Sequence, residues 1–215
     1  MNDKINLAAM RINYKAEALE ESNVMLNPID QFEFWFTEAV NAKIEEPNAM
    51  TLATASYMGF PNARTVLLKE FDKNGFVFFT NYESCKGKEL EKNNNAVLLF
   101  FWKELFRQVR IKGKVEKVSR EASETYFHSR PRESQIGALV SKQSDEIPDR
   151  KYLENRFLLL QKEFEGKEIP LPKYWGGYKV APFEIEFWQG RENRLHDRIL
   201  YKLIENNWKI SRLSP

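Results

Sequence analysis

Between Met50 and Val118 the chain takes on a β texture, and that stretch limits its fold more than any other. Runs rich in β-branched and aromatic residues follow one another at Met50–Ala55, Ala63–Lys69, Phe76–Thr80, Ala96–Phe101 and Gln108–Val115. Tyr57–Pro61 and Asp72–Gly75 carry the Gly, Pro and Asn that reverse a chain between strands. Successive short strands leave unpaired edges unless the sheet curls on itself, so the pattern predicts a closed or split antiparallel barrel.

Helices flank this region. Pro28–Val40 has a proline at its first position and an acid in its first turn, which predicts a helix whose Phe32, Trp35 and Phe36 stripe packs into a core. Ser119 can cap a helix reaching His128, Pro131 interrupts it, and further helices are expected over Arg132–Val140 and from Pro148 to Glu165. After Pro170-Leu-Pro172, strands return at Gly177–Trp188 and in a hairpin from Arg198 to Leu213. Meander, helices and hairpin in that order make the chain α+β. We expect one domain over residues 28–215, preceded by a polar segment, 1–27, in which Leu7, Met10, Arg11 and Tyr14 keep helical spacing.

With 42% apolar and 30% charged residues, the chain has the makings of a globular core. A formal charge of +2 gives no electrostatic case for nucleic acid as a partner. One cysteine, Cys85, precludes an intrachain disulfide, and with only His128 and His196 as other soft ligands there is no zinc-site spacing. No apolar run is long enough for a bilayer. The expectation is a soluble, cytoplasmic protein with no membrane partner.

Several segments collect groups that bind anions. Trp188-Gln-Gly-Arg-Glu-Asn-Arg-Leu-His-Asp-Arg198 follows the alternating Phe183-Glu-Ile-Glu-Phe187, a half-buried strand. If the chain is extended again, Arg194, His196 and Arg198 share one face, either as an anion site beside Trp188 or as a solvated polar surface. Arg64 and Lys69 stand at opposite parity, serving different faces or a strand end. Thr80-Asn-Tyr-Glu-Ser-Cys-Lys-Gly-Lys88 leaves a strand and enters a helix, where free N–H groups, two hydroxyls and Lys86 would suit a phosphate as well as an ordinary turn. Tyr126 and Arg130 lie one helical turn apart, with Ser134 beyond Pro131. No nucleophile elbow, metalloprotease motif or dinucleotide fingerprint is present. Phosphate-type sites without a chemical engine point to borrowed cofactor chemistry.

The blocks Arg64-Thr-Val-Leu-Leu-Lys69, Phe78-Phe-Thr-Asn81, Arg107-Gln-Val, Tyr126-Phe-His-Ser-Arg-Pro, Ser134-Gln-Ile-Gly, Val140-Ser-Lys-Gln-Ser144, Phe187-Trp-Gln-Gly and Arg194-Leu-His-Asp-Arg198 resemble the pyridoxamine 5′-phosphate oxidase family. The match keeps register from about residue 28 to Pro215. The resemblance implies an FMN-binding split β-barrel and a homodimer with FMN at its interface. It implies oxidation of pyridoxamine or pyridoxine 5′-phosphate to pyridoxal 5′-phosphate, with O2 as acceptor and H2O2 released.

Carried over by position, the resemblance implies flavin contacts from Arg64, Thr65, Val66, Leu67, Leu68, Lys69, Phe79, Thr80, Lys86, Gln108, Gln143, Ser144, Trp188 and Arg198. It gives Lys69, Tyr126, Arg130 and Ser134 to the substrate phosphate. It puts Arg194, Leu195 and His196 at the pyridine ring, with Arg194 and His196 positioning the reacting carbon against the flavin. Arg11 and Tyr14 match a segment able to close over the site. Two positions depart from the family: Cys85 stands where an arginine is usual, and Phe79 where some members have tyrosine. A non-catalytic FMN or pyridoxal phosphate carrier and a split-barrel oxidoreductase for another substrate are the competing readings.

Overall fold

A computed structural model describes Tyr14 and residues 18–215; Arg11 and the rest of the segment before Ala18 lie outside the described residues. The chain divides into two compact units. The larger comprises Asn48–Leu99 and Ile111–Phe183; the smaller comprises the residues up to Pro47, Phe100–Arg110 and Glu184–Pro215.

In the larger unit, β1 (Ala49–Ala55) and β2 (Pro61–Leu67) form an antiparallel hairpin, and β1 also pairs with β5 (Asn95–Trp102). The short β3 (Glu70–Asp72) turns into β4 (Gly75–Asn81), which pairs with the first half of β7 (Trp175–Gln189). Between them lie α2 (Cys85–Lys92), α3 (Arg120–Ser129), α4 (Arg132–Val140) and α5 (Arg150–Glu163). The predicted Ser119 cap forms, accepting from the Ala122 N–H, and Ser84 also caps α2, accepting from the Gly87 N–H. Phe127, Ile136, Val140, Ile169 and Trp175 make a buried cluster under the helices.

The smaller unit holds α1 (Pro28–Asn41), the end of β5, the start of β6 (Arg107–Lys117), the end of β7, β8 (Asp197–Ile204) and β9 (Asn207–Arg212). The aromatic stripe of α1 is core, as its spacing predicts. Phe32 is fully buried against Phe100 at 5.0 Å between ring centroids, and Trp35 meets Phe187 edge-on at 5.2 Å. Burying each such ring is worth roughly 1.5–3 kcal/mol. Arg107 lies over Trp35 at 4.5 Å and reaches Glu38 at 2.6 Å and Gln189 at 2.9 Å, which ties α1 to β6 and β7.

Among the described residues the strands run in the order β2-β1-β5-β6-β7-β4-β3, with β8 against β7 and β9 against β8. This is the α+β antiparallel architecture expected, with two local differences. The strand β2 ends at Leu67, short of the expected Lys69, so of the two readings for Arg64 and Lys69 the strand end is the one that holds, and both line one cavity. The chain is also not extended through Arg194. Glu192–Arg194 is a 3-10 turn with Asn193 at φ 55° and Arg194 at φ 62°, and β8 begins only at Asp197. Arg194 therefore does not continue the row of Arg198, whereas His196, just before β8, packs on Trp188, the cross-strand partner of Arg198. Two successive left-handed residues reverse the chain there, a conformation that period-two counting cannot anticipate.

Gly75 closes the Asp72–Gly75 turn at φ +144°, and a Cβ on it would stand 2.2 Å from the Val180 carbonyl oxygen of the partner strand. The neighbouring atoms are all backbone of Val180 and Ala181, which cannot swing aside as a side chain could. Gly75→Ala is expected to destabilise the protein by about 2 kcal/mol or more. An unchanged midpoint in denaturant unfolding would show that the turn relaxes freely.

Candidate functional site

A cavity of about 960 Å³ opens in the larger unit. Arg64, Lys69, Lys86 and Arg130 line it, and no Asp or Glu does. Four cations around one hollow, of which Arg64 is already paired with Glu89 behind it, favour an anionic occupant. Of the residues expected at the cofactor or substrate, the cavity gathers Arg64, Thr65, Val66, Leu67, Lys69, Phe79, Thr80, Lys86, Tyr126, Arg130, Ser134, Gln143 and Ser144. They come from β2, β4, the α2 N-terminus, α3, α4 and the loop after α4.

One group of these surrounds Lys86, whose residue is only 8% exposed. Its Nζ donates to Gln143 Oε1 at 3.0 Å, Thr80 Oγ1 at 3.2 Å and Ser84 Oγ at 3.4 Å. Burial, then the nearby Arg64 charge, pushes this ammonium below its usual value. The Cys85 N–H donates to Ser144 Oγ at 3.2 Å, so Ser144 closes over the first turn of α2. Arg64 is fixed from behind. It donates to Thr54 Oγ1 at 2.6 Å and to the Leu52 carbonyl at 3.2 Å, and pairs with Glu89 at 3.3 Å. Burial alone would raise the Glu89 carboxyl, but hydrogen bonds from Thr54 and Asn62, with the Arg64 charge, outweigh it and hold the group below its usual value.

A second group surrounds Arg130. Its guanidinium lies over Trp175 at 4.7 Å and donates through Nη2 to the Ser134 carbonyl at 2.9 Å. Its Nη1 is buried with no hydrogen-bond partner among the described residues. Burial also pushes this guanidinium below its ordinary value. Phe79 and Tyr126 stack at 3.9 Å beside it. A buried donor without an acceptor costs free energy that an anionic ligand would remove.

The other expected residues belong to the smaller unit. Trp188 and His196 lie 4.7 Å apart, with the Tyr14 ring 6.0 Å from Trp188 and 5.6 Å from His196. The Arg191 N–H donates to His196 Nδ1 at 3.0 Å, which places the ring proton on Nε2. Burial, then Arg194, lowers the His196 pKa, with Asp197 opposing. Arg194 and Leu195 are exposed, Gln108 is half-buried on β6, and Arg198 pairs with Glu186 at 2.8 Å. Leu68 takes no place in the cavity: its side chain is core, and Asn48 satisfies both its N–H and its carbonyl.

Sequence reasoning did not single out Trp175, Glu89 or Glu186. Trp175 lies 45 positions from Arg130, and Glu89 25 positions from Arg64, so no local spacing links either pair. Glu186 was within reach, because alternation along Phe183–Phe187 puts it on the face of Trp188.

The donor set fits a phosphate-bearing group: a buried ammonium, hydroxyls, a capped helix start and the Arg130 guanidinium line one hollow. The comparisons with known proteins agree. The family model Pyridoxamine 5′-phosphate oxidase matches residues 36–161, and the model Pyridoxine 5′-phosphate oxidase C-terminal dimerisation region matches 175–215. The chain belongs to the pyridoxamine 5′-phosphate oxidase family. It is 55% identical to a pyridoxine/pyridoxamine 5′-phosphate oxidase from Trichormus variabilis over 97% of this chain and 98% of that one. A relative of the same name from Leptospira interrogans is 54% identical over 97% and 98%. Among solved structures, PhzG from Burkholderia lata, in complex with tetrahydrophenazine-1-carboxylic acid, superposes with a TM-score of 0.88 at 30% identity, covering 93% of this chain and 99% of that one. A pyridoxamine 5′-phosphate oxidase-related, FMN-binding protein from Nostoc punctiforme shares the fold at a TM-score of 0.69 and 16% identity, over 86% and 97%. The split-barrel reading of the family's sequence thus holds. No helix among the described residues is long and apolar enough to cross a membrane.

A base whose folded pKa lies below its unfolded value favours the folded state fully above the unfolded pKa and loses that contribution as pH falls through the folded one. The His196 imidazole should therefore titrate below 6.5 in the folded protein. Arg194→Gln should move the midpoint upward, and stability should fall as pH drops through this window. Imidazole NMR in a His128→Gln background measures it, and a midpoint at or above 6.5 would contradict the assignment.

Proposed function

We propose that this chain oxidises pyridoxamine 5′-phosphate and pyridoxine 5′-phosphate to pyridoxal 5′-phosphate with FMN, using O2 as electron acceptor and releasing H2O2. The observation that carries the reading is the cavity's four cations without a carboxylate, grouped around Lys86 and around Arg130, in a chain of this family. A flavin phosphate and a substrate phosphate need separate cationic groups.

Lys86, Thr80, Gln143 and Ser144, with Arg64 held by Glu89, would bind the cofactor phosphate; Thr65, Val66, Leu67, Lys69 and Phe79 would line the path to its ring. Lys69, Tyr126, Arg130 and Ser134 would bind the substrate phosphate, the buried Arg130 Nη1 finding there the acceptor it lacks. Bound FMN supplies the acceptor for the electron pair leaving the substrate and passes it on to O2. Arg194 and His196 orient the substrate ring: the arginine by its charge, the neutral histidine by the N–H on Nε2. Gln108, Trp188 and Arg198 complete the cofactor's surroundings. Residues 175–215 match the dimerisation region, which supports a homodimer, and FMN would sit at its interface. Tyr14, beside Trp188 and His196, would contact the substrate, Arg11 lies outside the described residues, and the reducing cytoplasm suits the lone thiol.

Anaerobic titration of the FMN-loaded protein with pyridoxamine 5′-phosphate should bleach the oxidised flavin band. Air should restore it, with pyridoxal 5′-phosphate and H2O2 formed. Flavin that binds and never bleaches would fit a carrier or an oxidoreductase for another ring, and would refute the substrate assignment. Arg194→Ala should slow single-turnover flavin reduction at saturating substrate about 100-fold, the scale of a small misplacement of reacting atoms.

Cys85 puts a thiol, 3.7 Å from Glu89 Oε1, at the proposed cofactor-phosphate end of the cavity, where the family resemblance implies an arginine. Cys85→Arg should tighten FMN binding about tenfold, one charge-assisted hydrogen bond's worth. Equal affinity in a fluorescence titration would mean that Glu89 captures the new side chain.

A further inference from the structure

On the Trp188 face of the smaller unit a buried carboxylate stands between two guanidinium groups. Strand alternation brings Arg110 of β6, Glu186 and Trp188 of β7 and Arg198 of β8 to one side, while Val109, Ile185, Phe187 and Ile199 fill the other. Trp188 and Arg198 are direct cross-strand partners. Glu186 is 3% exposed, and each of its oxygens serves a different arginine. Oε1 accepts from Arg198 Nε at 2.8 Å, and Oε2 accepts from Arg110 Nη2. The Ser214 carbonyl accepts from Arg198 Nη1 at 2.7 Å, so the Arg198 guanidinium is held from two sides. Arg110 Nε is buried and has no partner among the described residues.

A lone carboxylate at this depth would cost several kcal/mol, and two arginines offset that cost better than one. The same face carries an ordinary surface pair for contrast. Glu184 and Lys202 are 3.9 Å apart, with side chains 15% and 53% exposed, so one end of that pair is open to solvent. Pairs of that kind contribute about 0–1 kcal/mol. The buried triad differs in depth, in geometry and in containing a residue that the proposed function gives to the cofactor.

We propose that Glu186 is a positioning residue for FMN binding: it fixes the Arg198 guanidinium beside Trp188 before the cofactor arrives, and Arg110 is the second cation that holds Glu186 in place. A free arginine carries about 2 kcal/mol of rotamer entropy, and fixing it beforehand lowers the cost of binding. A glutamine at 186 cannot do this, because its amide nitrogen turns a donor toward a donor and its single oxygen serves one arginine. The inference rests on the FMN reading above and adds to it a residue and a route of action.

Quenching of flavin fluorescence on titrating apoprotein into FMN tests it without catalysis. Glu186→Gln should weaken FMN binding about tenfold, the loss of one well-aimed charge-assisted hydrogen bond. Glu184→Gln should leave the affinity unchanged. In an Arg198→Ala background, Glu186→Gln should change the dissociation constant less than about twofold, because coupled residues do not add. An unchanged affinity in the single variant overturns the proposal. An equal loss with and without Arg198 also overturns it, since Glu186 would then act on the fold alone. If Glu186→Gln fails to fold by circular dichroism, Glu186→Asp gives the same comparison with charge kept and reach shortened, at an expected loss of about threefold. Wild-type protein that does not quench FMN would refute the cofactor reading and this inference together. Wild-type quenching with an inert Glu186→Gln would refute the inference alone.

Discussion

Burying an ammonium beside a second cation is unfavourable unless acceptors surround it, and the candidate site depends on how Lys86 meets that condition. Gln143, Thr80 and Ser84 supply the acceptors, drawn from the loop after α4, from β4 and from the cap of α2. One buried charge thereby links three separately built parts of the larger unit. None of those acceptors is ionised, so the positive charge is solvated but not cancelled. Glu89, the nearest fixed carboxylate in this network, is turned instead to Arg64, Thr54 and Asn62. The result is a hollow that stays cationic while each buried polar group near Lys86 has a neighbour. Such a hollow favours a ligand that brings its own anion.

The smaller unit handles charge differently. There a carboxylate is buried and two arginines reach in to it, so the net charge is one rather than two. The larger unit thus offers diffuse attraction for phosphate, through neutral acceptors. The smaller offers a guanidinium in a defined orientation beside an aromatic pair. The first arrangement suits holding a charged tail, and the second suits aligning a flat ring, where angle matters more than charge.

Much of this was legible before any coordinates. The strands from Met50 to Val118, the Ser119 cap and the aromatic stripe of α1 follow from local rules, because pleat, cap chemistry and helical period act within a few residues. The cavity residues came from resemblance, and their gathering from β2, β4, α2, α3 and α4 is a matter of long-range pairing. Trp175 under Arg130 and Glu89 behind Arg64 had no local signal at all. The three-residue β3 was hidden for a different reason: it is held by pairing with β4 rather than by its own composition. Glu186 is the instructive miss. Its parity with Trp188 is plain in the sequence, yet a Glu in an alternating strand ordinarily reads as the solvent face, and only the two arginines make it a buried one.

The turn from Gly190 to Leu195 shows where local rules had to fail. Asn193 tolerates a left-handed backbone, but Arg194 has no side-chain reason to adopt φ 62°, a conformation costing on the order of 1 kcal/mol or more. Three hydrogen bonds hold it: Gly190 N–H to the Phe106 carbonyl at 2.8 Å, Leu195 N–H to the Glu192 carbonyl at 3.1 Å, and Arg191 N–H to His196 Nδ1 at 3.0 Å. Gly190 adds a steric lock, since a Cβ there would stand 3.0 Å from both Phe106 and Tyr14. An extended chain would have set Arg194 in line with Arg198 and closed the face into one row of cations. The turn instead lifts Arg194 out of the sheet and uses a backbone N–H to hold His196 neutral. The same strained residues that defeat period-two counting therefore separate the charged group from the neutral one, and that separation gives the two side chains different chemistry.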